Sequence, residues 1–232
     1  MAMAMNLYEV CRETEFLDHG SPAVQRFIRQ VALDGTEEPT EKAVRLYYAV
    51  RDGIRYDVYS ADLSRRGLRA SEIVRKGRGF CIHKSILYAA AVRAVGIPSR
   101  LVLTDVRNHI ASDRLKELVG GEVFHYHCLT SIYLNGRWLK ATPVFNKVLC
   151  RLYGIAPLEF DGRTDSLQHP YDEHGQKYME FIRMHGEFDD FPYETVIHGL
   201  RKAHPRLFEG SCMFTSGSLV TEANAAKRNA AA

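Results

Sequence analysis

What this chain lacks narrows it before anything it contains. No run of about eighteen apolar residues occurs, so no membrane-spanning helix is expected. The start, Met1-Ala2-Met3-Ala4-Met5, lacks the basic-then-apolar profile of a secretory signal. The cysteines, Cys11, Cys81, Cys128, Cys150 and Cys212, are odd in number and widely spaced, with no Cys-x-x-Cys pair. That excludes a zinc-finger or disulfide-framework reading. An excess of one charge is missing as well. The net charge is +3 with signs interspersed, and Arg65-Arg66 with Arg69 is too small a basic cluster for a nucleic-acid surface. Internal repeats are absent. The expectation is a soluble cytoplasmic protein with no membrane or nucleic-acid partner; self-association stays open. What is present is ordinary for a globular chain: 46% hydrophobic and 25% charged residues over 232 positions. Such a length buries a sizeable core without disulfides, as one domain with additions.

Three parts can be read along the chain. The first, up to Lys76, is mostly helical. Ser21-Pro22-Ala23 opens a segment with Val24, Phe27, Ile28 and Val31 at helix spacing, with a cap and an early proline. Thr40 is placed to cap a second helix carrying Val44, Tyr47, Tyr48, Val50 and Ile54, and Ser71-Glu72-Ile73-Val74 reads as one helical turn. In the middle part a helix from Ile82 to Val95 ends at Gly96-Ile97-Pro98. Strands follow at Arg100–Val106, Val123–Leu134 and Arg137–Ala141, the last two joined by Asn135-Gly136, a two-residue type I′ turn signal. A helix backed by an antiparallel sheet results, which makes the fold class α+β. Beyond residue 151 only a turn at Leu158–Gly162 and a helix over Tyr193–Ala203, stopped by Pro205, stand out. The small, polar tail from 216 to 232 reads as mobile.

The chemistry centres on Cys81, in Gly77-Arg78-Gly79-Phe80-Cys81 at the head of the middle helix. A thiol there meets unpaired backbone N–H groups and the positive end of the helix dipole, both of which favour thiolate. A depressed Cys81 pKa is therefore expected, with the flanking glycines leaving room for a substrate backbone. The long strand carries His125-Tyr126-His127, and His127 can serve as base. The hairpin sets Leu134 against Arg137, Tyr133 against Trp138, Ser131 against Lys140 and Leu129 against Thr142. By alternation His125, His127 and Thr142 then share a face, with Thr142 diagonal to His127 and able to orient its ring. Asn146, just past Pro143, is the alternative orienter, since an amide can hold an imidazole. Supporting or substrate-binding roles fall to His125, Asp105 and Asn108, with Trp138 either a platform or hairpin packing. Cys128 reads as a small buried residue. Asp161, Asp165, His169 and Asp172 read as a solvated loop, and no metal site is expected.

Gly79-Phe80-Cys81, Arg93-Ala94-Val95-Gly96-Ile97-Pro98-Ser99-Arg100, His127 leading into a strand, and Gly136-Arg137-Trp138 together resemble the transglutaminase-like superfamily of papain-like cysteine enzymes. The resemblance implies a papain-like core over residues 40–150, its nucleophile helix packed on an antiparallel sheet. A helical segment, 1–39, would precede it and an extension, 151–215, would pack on it. It implies Cys81 as nucleophile, His127 as base, a peptide or glutamine-type amide substrate and no cofactor. The family's Trp-x-x-x-Asp-Pro reads Trp138-Leu139-Lys140-Ala141-Thr142-Pro143 here, so the carboxylate is replaced by Thr142. The activity expected is amide hydrolysis or acyl transfer through a thioester. Two alternatives stand beside it: a catalytically idle binding module, and an acetyl-transferring enzyme of arylamine acetyltransferase type, which would need coenzyme A.

Overall fold

A computed structural model describes residues 7, 9–31, 37–109, 111–167, 178–209, 219 and 221. The sequence-read tail at 216–232 (apart from 219 and 221), together with Cys212, His169 and Asp172, lies outside the described residues. Helix α1 (Pro22–Gln30) starts where the sequence signals it: Ser21 Oγ accepts the Val24 N–H and Pro22 stands in the first turn. Helix α2 (Pro39–Gly53) begins one residue before Thr40, with Glu38 at the cap and Pro39 opening the turn. Its apolar positions Ala43, Leu46, Tyr47 and Val50 are buried against α4 (Cys81–Ala94), the central helix.

That helix is buried on almost every side, from Cys81 through Arg93. A helix apolar all round belongs in the middle of a core, and here α1, α2 and α3 (Ala70–Lys76) cover it opposite the sheet. The sheet is antiparallel with strand order β5-β4-β3-β6, where β3 is Ser99–Asn108, β4 Val123–Leu134, β5 Arg137–Ala141 and β6 Met179–Phe188. The small residues of α4 bring it close to β4: Ser85 Oγ donates to Cys128 O, and Thr130 Oγ1 donates back to Ser85 O.

The β4–β5 hairpin has the register derived from Asn135-Gly136, with Tyr133 opposite Trp138 and Ser131 opposite Lys140. Both turn residues have positive φ, 51° and 82°, as a type I′ turn requires. Arg93 closes the α4–β3 connection, donating to Ser99 Oγ and Ser99 O and reaching Arg12 O and Asp189 O. Two short helices, α5 (Asp113–Val119) and α6 (Lys147–Tyr153), and the edge strand β6 add to the elements read from sequence. Helix α7 (Tyr193–Ala203) lies against β4. No described helix is long and apolar enough to cross a membrane.

Candidate active site

The approach to Cys81 is built by two glycines with separate jobs. Gly77 ends α3 in the left-handed region (φ 61°) with its N–H on Ile73 O. The chain then forms β2 (Arg78–Gly79), parallel to β1 (Arg55–Tyr56), before Phe80 leads into α4. At Gly79 a Cβ would fall 2.5 Å from the Cβ of His83, so the missing side chain admits His83 of the first helical turn. The room expected for a substrate backbone is thus filled by the protein itself at this position.

Cys81 is the first residue of α4, and it faces a cavity that also receives His127 from β4. The remaining wall is largely apolar: Tyr56, Val58, Phe80, Phe124, Phe145 and Leu200. About 40 Å³ is open to the centres of water molecules, room for roughly three waters or a small organic group. A second apolar cavity, of about 30 Å³, shares Tyr56, Asn108 and Phe145 with the first and runs on to Leu149, Tyr153 and Leu219. Tyr56 and Phe145 meet edge to face at 4.8 Å between the two.

Burial sets the electrostatics. It pushes the Cys81 thiol up to about 11, against the backbone N–H groups of Cys128, Ile82 and Cys81, which pull it down. It pushes His127 down to about 4. The depressed Cys81 pKa expected from the helix terminus is therefore corrected: desolvation by an apolar cavity outweighs the helix start. At neutral pH the resting pair is a thiol and a neutral imidazole.

The expected orienters do not reach His127, whose ring makes no hydrogen bond among the described residues. Thr142 is buried with its hydroxyl unpartnered among those residues. Asn146 is committed elsewhere. Its Oδ1 accepts the Tyr56 N–H at 2.8 Å, and its Nδ2 donates to Ile54 O at 2.9 Å and to Arg51 O. It ties the end of α2 to β1, and buried Lys84 donates to the same two carbonyls. Trp138 is remote from the cavity, packed edge to face on Tyr133 with Arg100 over its ring. Asp161 caps its own turn through the N–H groups of Arg163 and Thr164.

His125, Asp105 and Asn108 do come together at the cavity. His125 and Asn108 line it, and His125 Nδ1 stands 3.1 Å from Asp105 Oδ2. Burial would raise the Asp105 carboxyl, but hydrogen bonds from His185, the Tyr126 N–H and His125 outweigh it and hold the group below the usual range, ionised. A bulge makes this contact. His127 pairs with Thr104 and Phe124 with Val106, so β4 spends an extra residue opposite Asp105, and Tyr126 takes φ 57°. Strict alternation between His125 and His127 is broken there. His185 and His204 complete the surroundings and carry no sequence signal beyond being isolated histidines; the aromatic wall of Tyr56, Phe80 and Phe145 is likewise invisible before folding. Among the described residues no group of three or more His, Cys, Asp or Glu side chains is arranged to hold a metal.

A thiol heading a central helix, with a histidine from the adjoining antiparallel sheet in the same cavity, is the papain-like form of α+β architecture. The family model for the transglutaminase-like superfamily matches residues 26–143, half of the chain, and the chain belongs to that superfamily. Among solved structures it is similar to a cysteine-protease candidate from Cytophaga hutchinsonii, at 13% identity and TM-score 0.46, over 61% of this chain and 43% of that one. It is also similar to the arylamine N-acetyltransferase of Mycobacterium abscessus, at 14% identity and TM-score 0.42, over 58% and 46%. The chain spans less than half the length of each. No curated protein matches it.

Proposed function

We propose that this protein is a cysteine-dependent hydrolase or acyl transferase acting on an amide whose acyl side is apolar. One observation carries the reading: Cys81, at the first turn of α4, and His127 open onto a single, mostly apolar cavity. With both groups neutral at rest, the thiol gives its proton to His127 as sulfur attacks the carbonyl. His127 then passes that proton to the leaving amine, and a thioester remains on Cys81. The Cys81 and Ile82 N–H groups, which have no acceptor within the helix and lie beside the sulfur, would hold the oxyanion. The aromatic wall formed by Tyr56, Phe80 and Phe145 favours an aromatic or aliphatic group beside the scissile carbonyl over the polar side-chain amide of glutamine.

The experiment is a screen of acyl anilides with apolar and polar acyl groups. Turnover of the apolar members, lost by at least about a thousandfold in Cys81→Ala, is the expected result. A second reading, an idle binding module, is favoured by the unpartnered His127 ring. Apolar amides that bind the wild-type protein but are never cleaved would favour that reading instead.

A further inference from the structure

We propose that His125, held by Asp105, is the general base for the second half of the reaction, taking the proton of the water or primary amine that resolves the acyl group on Cys81. This rests on the reading of Cys81 as the acylated nucleophile. The two histidines of the cavity differ in the way two half-reactions would require. Cys81 and His127 are 7% and 6% exposed, whereas the His125 side chain is 39% exposed. An acceptor entering from solvent meets His125 first.

His125 also has what His127 lacks, a fixed ring. Both Asp105 oxygens are engaged: Oδ1 accepts from His185 Nε2 at 2.6 Å and from the Tyr126 N–H at 3.1 Å, which leaves Oδ2 for His125 Nδ1. With Nδ1 beside the carboxylate, the tautomer carrying its proton on Nδ1 is favoured, which leaves the Nε2 lone pair as the base. The backbone is fixed as well. His204 Nδ1–H donates to Val119 O at 2.6 Å, so its Nε2 accepts the His125 N–H at 3.0 Å. Tyr126 stacks on His185 at 4.5 Å and fills the space over Gly199, where a Cβ would come within 2.2 Å of its ring. A non-glycine residue at positive φ, locked on three sides, is an expensive way to build a bulge inside a strand. Its effect is to bring His125 onto Asp105.

In the step itself, the acceptor's N–H or O–H proton moves to His125 Nε2 as its lone pair forms a bond to the thioester carbonyl carbon. The carbonyl π pair moves to oxygen and returns as the C–S bond breaks. Sulfur leaves as thiolate and takes a proton from solvent, and His125 releases its own to solvent. The ionised Asp105 stabilises the imidazolium in between. The titratable groups around His125 are Asp105 of β3, His185 of β6, His204 after α7, and Cys81 and His127 across the cavity.

The test follows p-nitrophenyl phenylacetate with the full chain. The expected result in His125→Ala and His125→Gln is a p-nitrophenol burst within about threefold of wild type, then turnover slowed on the order of a hundredfold. Mass spectrometry should find the phenylacetyl adduct accumulating on Cys81, and added imidazole should restore its release. Asp105→Asn should slow release as well, because the imidazolium formed in the step loses its counter-charge. Loss of the burst along with turnover in both His125 variants overturns the inference, as does adduct release at the wild-type rate. A wild-type protein giving neither burst nor Cys81 adduct overturns instead the reading on which it rests.

Discussion

A thiol at the head of a helix and a thiol sunk in an apolar cavity feel opposite pulls, and at Cys81 burial is the stronger. Acidity therefore does not set Cys81 apart from the other described cysteines: Cys150 is also pushed up to about 11, and Cys11 and Cys128 are raised. Access to the cavity does. Iodoacetamide alkylation of Cys81 should accelerate with pH through the alkaline range toward a midpoint of about 11. A plateau of reactivity below neutral pH would show a resting thiolate–imidazolium pair and contradict this. The meeting of Cys81 and His127 at one cavity was legible because helix start, strand and turn signals fixed both locally. The Asp105 contact was not, since it depends on one extra residue in β4 opposite β3. Periodicity assigned Thr142 to a role that its unpartnered hydroxyl does not fill.

Among the elements, the wall of the cavity depends on how α2 ends. Arg51 O in its last turn and Ile54 O just beyond it are taken up by Asn146 and Lys84, and Asn146 also receives the N–H of Tyr56, a cavity residue. Removing the amide strands the part-buried Tyr56 N–H and leaves the two carbonyls to Lys84 alone. Asn146→Ala should lower unfolding free energy by about 2–3 kcal/mol, read by urea denaturation. A loss under about half a kcal/mol would mean the amide ties nothing together. The sequence yielded α1, α2, α4, α7 and the β3–β4–β5 sheet, each carrying a cap, a turn or a clear apolar period. It hid β6, where Phe181, Ile182 and Met184 are exposed and no alternation marks a buried face. Helices α5 and α6, at seven residues each, are too short for a period to show.

At the scale of the whole molecule, buried neutral histidines tie stability to pH. Burial pushes both His127 and His83 down to about 4 from an ordinary 6.5. Between those values the unfolded chain binds protons that the folded chain refuses. Stability is therefore full above about pH 6.5 and falls as pH drops toward 4, by on the order of 3 kcal/mol for each histidine. Denaturant melts across this range should show the slope, and His127→Gln should reduce it. An unchanged slope in that variant would mean that the His127 imidazole is not desolvated. The apolar surroundings that desolvate Cys81 and His127 thus also make the fold sensitive to acid.

The central claim is that Cys81 and His127 act as one acylating unit. Its most direct test is reaction of the wild-type, His127→Ala and Cys81→Ala proteins with an amide-mimicking electrophile bearing an apolar acyl group, followed by peptide mapping of every cysteine. Modification should be confined to Cys81 in the wild type, slowed at least about a hundredfold in His127→Ala and absent in Cys81→Ala. Labelling spread across the cysteines, or a Cys81 rate indifferent to His127, would contradict it.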